Sequence, residues 1–168
     1  METRLREDQY DLTPLGKSGL GGWLIFIQLG LILTLLLALV NMFSYSIPSF
    51  YSETWTALTS KDSLQYHHLW APTIIFEFLM NIGIILFSAY IIVRFYQRKM
   101  IVPRLIIVFY SASLLISVFE YILMLQIPDW REIDDGSLAK DIAKGTFTCL
   151  IWIPYFLRSV RVKNTFVK

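Results

Sequence analysis

Three stretches of this chain lack the polar interruptions of a soluble fold. Leu20–Met42 holds 23 residues without an ionisable side chain, and at about 1.5 Å of helical rise per residue it reaches roughly 34 Å, enough for a bilayer core. Leu69–Val93 is a second apolar run, interrupted by Pro72, Glu77 and Asn81, and Pro103–Leu125 is a third, in which Glu120 is the one charged residue after Arg104. Each predicts a spanning helix. The uncharged run Gly145–Leu157 is too short alone, but a helix starting at Gly136-Ser137, with Ser137 as N-cap, gains two turns. Lys140 and Lys144 then snorkel toward headgroups, and Pro154 kinks the final turn by removing the bond to the Leu150 carbonyl. The predicted architecture is an all-α membrane protein, an up-down bundle of four transmembrane helices over about residues 20–42, 69–93, 103–125 and 137–157. A tail of residues 1–19 precedes this 20–168 domain, which ends in a basic C-terminal tail.

The connections are short, so no separate soluble domain is expected. "RFYQRKMIVPR" makes helices two and three antiparallel neighbours, with Pro103 in the first turn of the third. In the first outer loop Phe50, Tyr51, Trp55 and Leu58 recur at helical spacing and predict a short helix lying on the membrane surface. The second outer loop carries Asp129, Glu132, Asp134, Asp135 and Asp141. It lacks the alternating carboxylates of a calcium loop, and a solvated turn is the simpler reading.

Composition supports a membrane chain, since 55% hydrophobic and 17% charged residues in 168 exceed the needs of one soluble core. Charge then gives orientation. Arg4, Arg6 and Lys17, the loop residues Arg94, Arg98, Lys99 and Arg104, and the tail residues Arg158, Arg161, Lys163 and Lys168 make 11 of the 15 basic residues. They share one side of a four-span layout, which predicts both termini in the cytoplasm. Aromatic residues form two belts at headgroup depth, with Trp23, Phe95, Tyr96, Trp152 and Tyr155 inside and Tyr45, Tyr51, Trp55, Tyr66, Trp70 and Trp130 outside. A cleavable signal peptide fits the first run poorly, because the run is too long and its leading tail carries Glu2, Glu7, Asp8 and Asp11.

Catalytic constellations are thin. Cys149 is the one cysteine, which excludes an internal disulfide and a thiolate zinc site, and its mid-span position argues for packing. His67 and His68 are adjacent and point apart on a helix, so they do not chelate one ion together. No metal, cofactor or nucleic acid is expected, and an enzyme fits worst because no nucleophile and base pair up. The embedded acids are different. Glu77 and Glu120 fall at similar depth in the outer half, and Lys144 between them is the economical arrangement, since an isolated charge at helix centre costs about 2.5 to 3.5 kcal/mol. Asn81, four residues after Glu77, shares its face, and Gln28, Thr34 and Asn41 add polar positions on the first helix. Two roles follow for Glu77, Asn81, Glu120 and Lys144: an interhelical clasp, or a proton- or ligand-binding site in which burial and Lys144 act on the carboxyl proton in opposite senses.

"GLGGWL" at Gly19 to Leu24, Glu77 with Asn81, "RK-x3-PRL" from Arg98 to Leu105 and "W-x2-YF-x2-S-x-RVK-x-TF" from Trp152 to Phe166 together resemble a bacterial inner-membrane family of four-span proteins, catalogued as a domain of unknown function. The resemblance implies a bacterial cytoplasmic membrane and four helices, with no assigned activity. The small residues of the opening motif allow close backbone approach. The closing motif alternates basic and apolar residues, with Phe156, Val160, Val162 and Phe166 as contacts. Arg98, Lys99, Arg104, Arg158, Arg161 and Lys163 are candidate lipid-headgroup or docking residues, and a topology signal is the simpler reading of the loop cations. The expected function is an accessory or scaffold subunit of a membrane complex, with a membrane-protein partner or a second copy alongside the lipid. The alternative is a small transporter or proton-linked channel that uses the embedded carboxylates.

Overall fold

The computed structural model describes residues 18–133 and 135–168. Expectations resting on Arg4, Arg6 and Lys17, on Asp134, and on the side chains of Asp129 and Glu132 lie outside the described residues. The regular elements described are all helical. The first, α1 (Trp23–Asn41), continues into a π-turn at Met42–Ser46 and a 3-10 turn at Pro48–Phe50; then come α2 (Ser52–Thr59), α3 (Trp70–Tyr96), α4 (Val102–Met124), α5 (Pro128–Ile133), α6 (Ser137–Arg158) and α7 (Val160–Thr165).

Three segments, Trp23–Phe50, Trp70–Tyr96 and Val102–Met124, are long and apolar enough to cross a membrane. The fourth long helix, α6, has 22 residues but carries Lys140, Asp141 and Lys144 in its opening turns, so it is amphipathic where the other three are predominantly apolar. Length and composition thus identify three spans where the sequence suggested four. Pro103 falls in the first turn of α4, a position where its missing N–H is harmless. The start of α6 differs in detail from the expected serine cap: Gly136 precedes it in a left-handed conformation, and the Asp135 carboxylate accepts the Ser137 N–H at 2.9 Å. The helix runs unbroken through Pro154 and ends where Ser159 turns extended.

The close helix pairs are α1–α3, α3–α4 and α4–α6, whereas α1 and α6 do not form one. Packing is also uneven along the bundle. At the end where both tails gather (the tail end), Leu24, Ile27 and Leu31 of α1, Ile91 and Phe95 of α3, Val102, Ile106 and Phe109 of α4, and Phe156 of α6 form one buried cluster. Their spacing of three, four and seven residues is that of a single helix face. At the opposite end (the cap end) α2 folds over, and Phe50 stacks on Trp55 at 5.4 Å and meets Phe78 of α3 edge-on at 5.1 Å. Here the α4–α6 interface buries no side chain fully beyond Phe109 and Phe156. The outer faces remain apolar, with Leu37, Leu86, Leu115 and Leu150 more than half exposed, which suits acyl chains and would be a large sticky patch in water.

Candidate functional site

At the cap end a polar face runs along α3 through Thr73, Glu77 and Asn81, spaced four residues apart. Asn81 is buried and reaches across to the π-turn after α1. Its amide lies 3.2 Å from Ser46 Oγ; with its oxygen turned toward Met42 it accepts that N–H at 3.3 Å and donates to the Ala38 carbonyl at 3.3 Å. A π-turn shifts the helical ladder by one residue, and Asn81 supplies hydrogen-bonding groups at that point. Thr73, 1% exposed, has a hydroxyl without a hydrogen-bond partner among the described residues.

The two glutamates flank a ring contact between neighbouring helices. Phe76 of α3 meets Phe119 of α4 edge-on at 5.0 Å, and Glu77 and Glu120 are the next residues on each helix. Both are half-buried. Glu120 lies within electrostatic reach of Glu77 on α3 and of Asp141 on α6, while neither glutamate makes a hydrogen bond or an ion pair among the described residues. Lys144 does not sit between them. Its Nζ is 2.8 Å from Asp141 Oδ1, and the two side chains are 76% and 58% exposed. The partner three residues earlier on the same helix is already in place, whereas reaching Glu77 would carry the ammonium across α4. No group of three or more His, Cys, Asp and Glu side chains able to hold a metal ion occurs among the described residues. His67 and His68 stack at 4.4 Å at the cap end, and Cys149 donates from Sγ to the Tyr110 carbonyl at 3.4 Å, tying α6 to α4.

A cavity of about 160 Å3 opens between α1, α4 and α6, lined by Thr34, Ser113, Ser117 and Thr148 together with Phe109, Tyr110 and Leu114, beside Gly145. Sequence reasoning named Thr34 but missed the serines, although Ser113, Ser117 and Glu120 at four- and three-residue spacing mark one face of α4. It also missed Ser46, which contacts Asn81, and it took Asp141 as a loop acid without its contact to Lys144.

The candidate docking residues gather at the tail end, where the patterned segments close on one another. The Gly19 N–H donates to Thr165 Oγ1 at 3.0 Å, and Thr165 donates to the Arg161 carbonyl at 2.7 Å. Arg161 Nε donates to the Gly19 carbonyl at 3.4 Å, and its guanidinium lies against Gly22. Gln28 folds back to donate to the Leu20 carbonyl at 2.7 Å. Phe166 is buried on Phe95 at 5.2 Å. Lys168 pairs with the basic loop, accepting from Met100 N–H at 2.8 Å and donating to the Arg98 carbonyl at 3.2 Å; Arg98 takes a left-handed φ of 55° there. Arg161 is therefore engaged within the chain, Lys99 is half-exposed, and Arg98, Arg104, Arg158 and Lys163 are exposed.

Comparison with known proteins gives a relative and a family. The chain is 24% identical over 156 residues to "Inner membrane protein YdgK" of Escherichia coli (strain K12), covering 93% of this chain and 99% of that protein. No solved structure matches. The family described as protein of unknown function (DUF2569) matches residues 17–167, and the chain belongs to it.

Proposed function

We propose that this is a bacterial inner-membrane protein whose Glu77–Glu120 pair takes up a proton from the outer face. The chain crosses the membrane four times in this reading, with the tail end in the cytoplasm. The excess of Lys and Arg at the tail end supports that orientation, and the relative's printed name supports the membrane. The fourth crossing is α6, with Lys140 and Lys144 at headgroup depth.

The observation that carries the functional reading is the pair itself: two carboxylates on adjacent helices, half-buried and unpaired. Embedded acids without a cation partner are functional by default, because an insertion cost of about 2.5 to 3.5 kcal/mol per charge otherwise selects against them. Glu120 lies within electrostatic reach of Glu77, and like charges held near each other inside a membrane repel, a cost that a proton taken up by either one relieves. Asp141 of α6 is the further charge within electrostatic reach of Glu120; α1 offers no ionisable side chain.

Proton uptake into dye-loaded proteoliposomes after an external pH jump tests this. Glu77→Gln and Glu120→Gln should each abolish uptake while keeping the wild-type melting temperature. Uptake equal to wild type in both variants overturns the reading, and a collapse in melting temperature assigns the acids to a clasp.

The accessory-subunit reading draws on the short loops, the lack of a catalytic set and a docking-like C-terminal tail. Val162 and Phe166 are buried within the chain, which leaves Val160 and the exposed Arg98, Arg104, Arg158 and Lys163 as the surface that supports it. A copurifying membrane protein lost on charge reversal of these four cations would favour it.

A further inference from the structure

We infer that the cavity between α1, α4 and α6 is filled with water continuous with the cap end and forms the approach to Glu120, closed toward the tail end. Its ligand is water, and the proton that water carries. The inference deepens the proposed reading and rests on it for the proton acceptor; the hydration itself is argued from the cavity.

Ser88, Thr146 and Thr148 close their hydroxyls onto carbonyls of their own helices at 3.1, 2.8 and 2.9 Å, the ordinary solution for a hydroxyl in lipid. Thr34, Ser113 and Ser117 do not; these three line one cavity and make no hydrogen bond to the protein among the described residues, and the Tyr110 ring lies beside them. Polar groups left unpaired in hydrocarbon are costly, and water relieves that cost.

About 160 Å3 holds several waters at about 30 Å3 each, and the hydroxyls of Thr34, Ser113 and Ser117 offer them polar partners. Gly145 lets α6 approach α4 closely at this level, since a Cβ there would come 3.3 Å from Leu114 Cδ1.

From Ser117 the α4 face leads one turn outward to Glu120, and Asp141 with Lys144 forms an exposed, solvated pair nearby. Toward the tail end the same helices bury Leu31, Ile106, Phe109 and Phe156, with no polar side chain among them. Water entering from the cap end therefore stops at Phe109.

Cysteine accessibility tests this in the full-length protein in membrane vesicles. On a Cys149→Ser background, Ser117→Cys and Ser113→Cys are treated with a membrane-impermeant cationic thiosulfonate, with Gln65→Cys reporting the cap side and Leu115→Cys, 70% exposed on the apolar face, as the dry control. Both cavity cysteines should react at least about tenfold faster than Leu115→Cys, because a hydrated thiol ionises and an apolar one does not. They should do so from the side that labels Gln65→Cys and not from the other. If one cavity variant fails to fold, Thr34→Cys replaces it. Rates matching Leu115→Cys overturn hydration, and equal labelling from both sides overturns the closed inner half. Slow labelling with intact proton uptake removes the water approach and leaves the carboxylate pair; fast labelling without uptake does the reverse.

Discussion

Gly22→Ala should destabilise the protein through the tail end alone. Gly22 precedes α1 with φ 62° and ψ −137°, a region populated almost only by glycine, and forcing a side chain into it costs about 1–3 kcal/mol. A Cβ there also collides with the Arg161 guanidinium. Arg161 must then leave the Gly19 carbonyl, a charged hydrogen bond in a class worth about 1.5–3 kcal/mol. At 3.4 Å and half-exposed this bond belongs at the low end, so the total is about 2.5–4.5 kcal/mol. Gly30 and Gly83 supply the control: no atom lies within 4 Å of an added Cβ at either, and alanine in a helix interior gains about 0.5–1 kcal/mol over glycine. Unfolding in detergent, followed through the fluorescence of Trp23 and Trp152, whose rings lie 6.1 Å apart, measures all three. In the double variant with Arg161→Ala the collision is already relieved, so its loss should fall short of the sum of the single losses. Gly22→Ala melting with the wild type, or Gly30→Ala falling as far as Gly22→Ala, refutes the assignment.

Asn81→Leu should lower stability by about 1–3 kcal/mol, from two or three interhelical bonds of membrane strength, while Asn41→Leu at an exposed position leaves the unfolding midpoint unchanged; equal effects would remove the role given to the π-turn contact. Phe166→Ala should cost about 3 kcal/mol or more by emptying the site against Phe95, and protease sensitivity of the C-terminal segment should rise with it; an unchanged midpoint would mean that the tail is not held there. Hydrogen bonds from the Ser137 side chain and backbone hold the Asp135 carboxyl below its ordinary value. The stabilisation this gives the start of α6 is present above the unfolded aspartate pKa and is lost as pH falls through the lower folded value. Amide exchange at Ser137 and Leu138, corrected for the intrinsic pH dependence, should lose protection on acidification in the wild type and show no such step in Asp135→Ala.

The long helices were legible because each is written locally: an uncharged run fixes α1, Pro103 opens α4, and Ser137 begins α6. What escaped the sequence depends on partners distant along the chain. The stretch Met42–Ser46 reads as the end of an ordinary helix, and its π register is matched by Asn81, 35 residues beyond Ser46. "RVKNTF" reads as a surface for another protein, because no periodicity links Thr165 to Gly19, 146 residues away. Lys144 is a different kind of miss. Asp141 was visible three residues earlier, but the embedded glutamates drew the lysine in the sequence reading, and a preformed contact on one helix outweighs a longer reach between two.

The two ends of the bundle divide the work of the fold. At the tail end, fully buried aliphatic and aromatic side chains and the Gly19–Thr165–Lys168 contacts join the entry of α1, the α3–α4 loop and the C-terminal segment. Motifs that looked separate along the chain are thus parts of one closure. A base held this way lets the cap end tolerate unpaired carboxylates and unpartnered hydroxyls, each of which costs stability. Loosely packed polar regions are where a protein opens with least free energy. Exchange with water is therefore expected at Glu77 and Glu120, where polar groups converge, while the dense core around Ile91, Phe95 and Ile106 seals the other face.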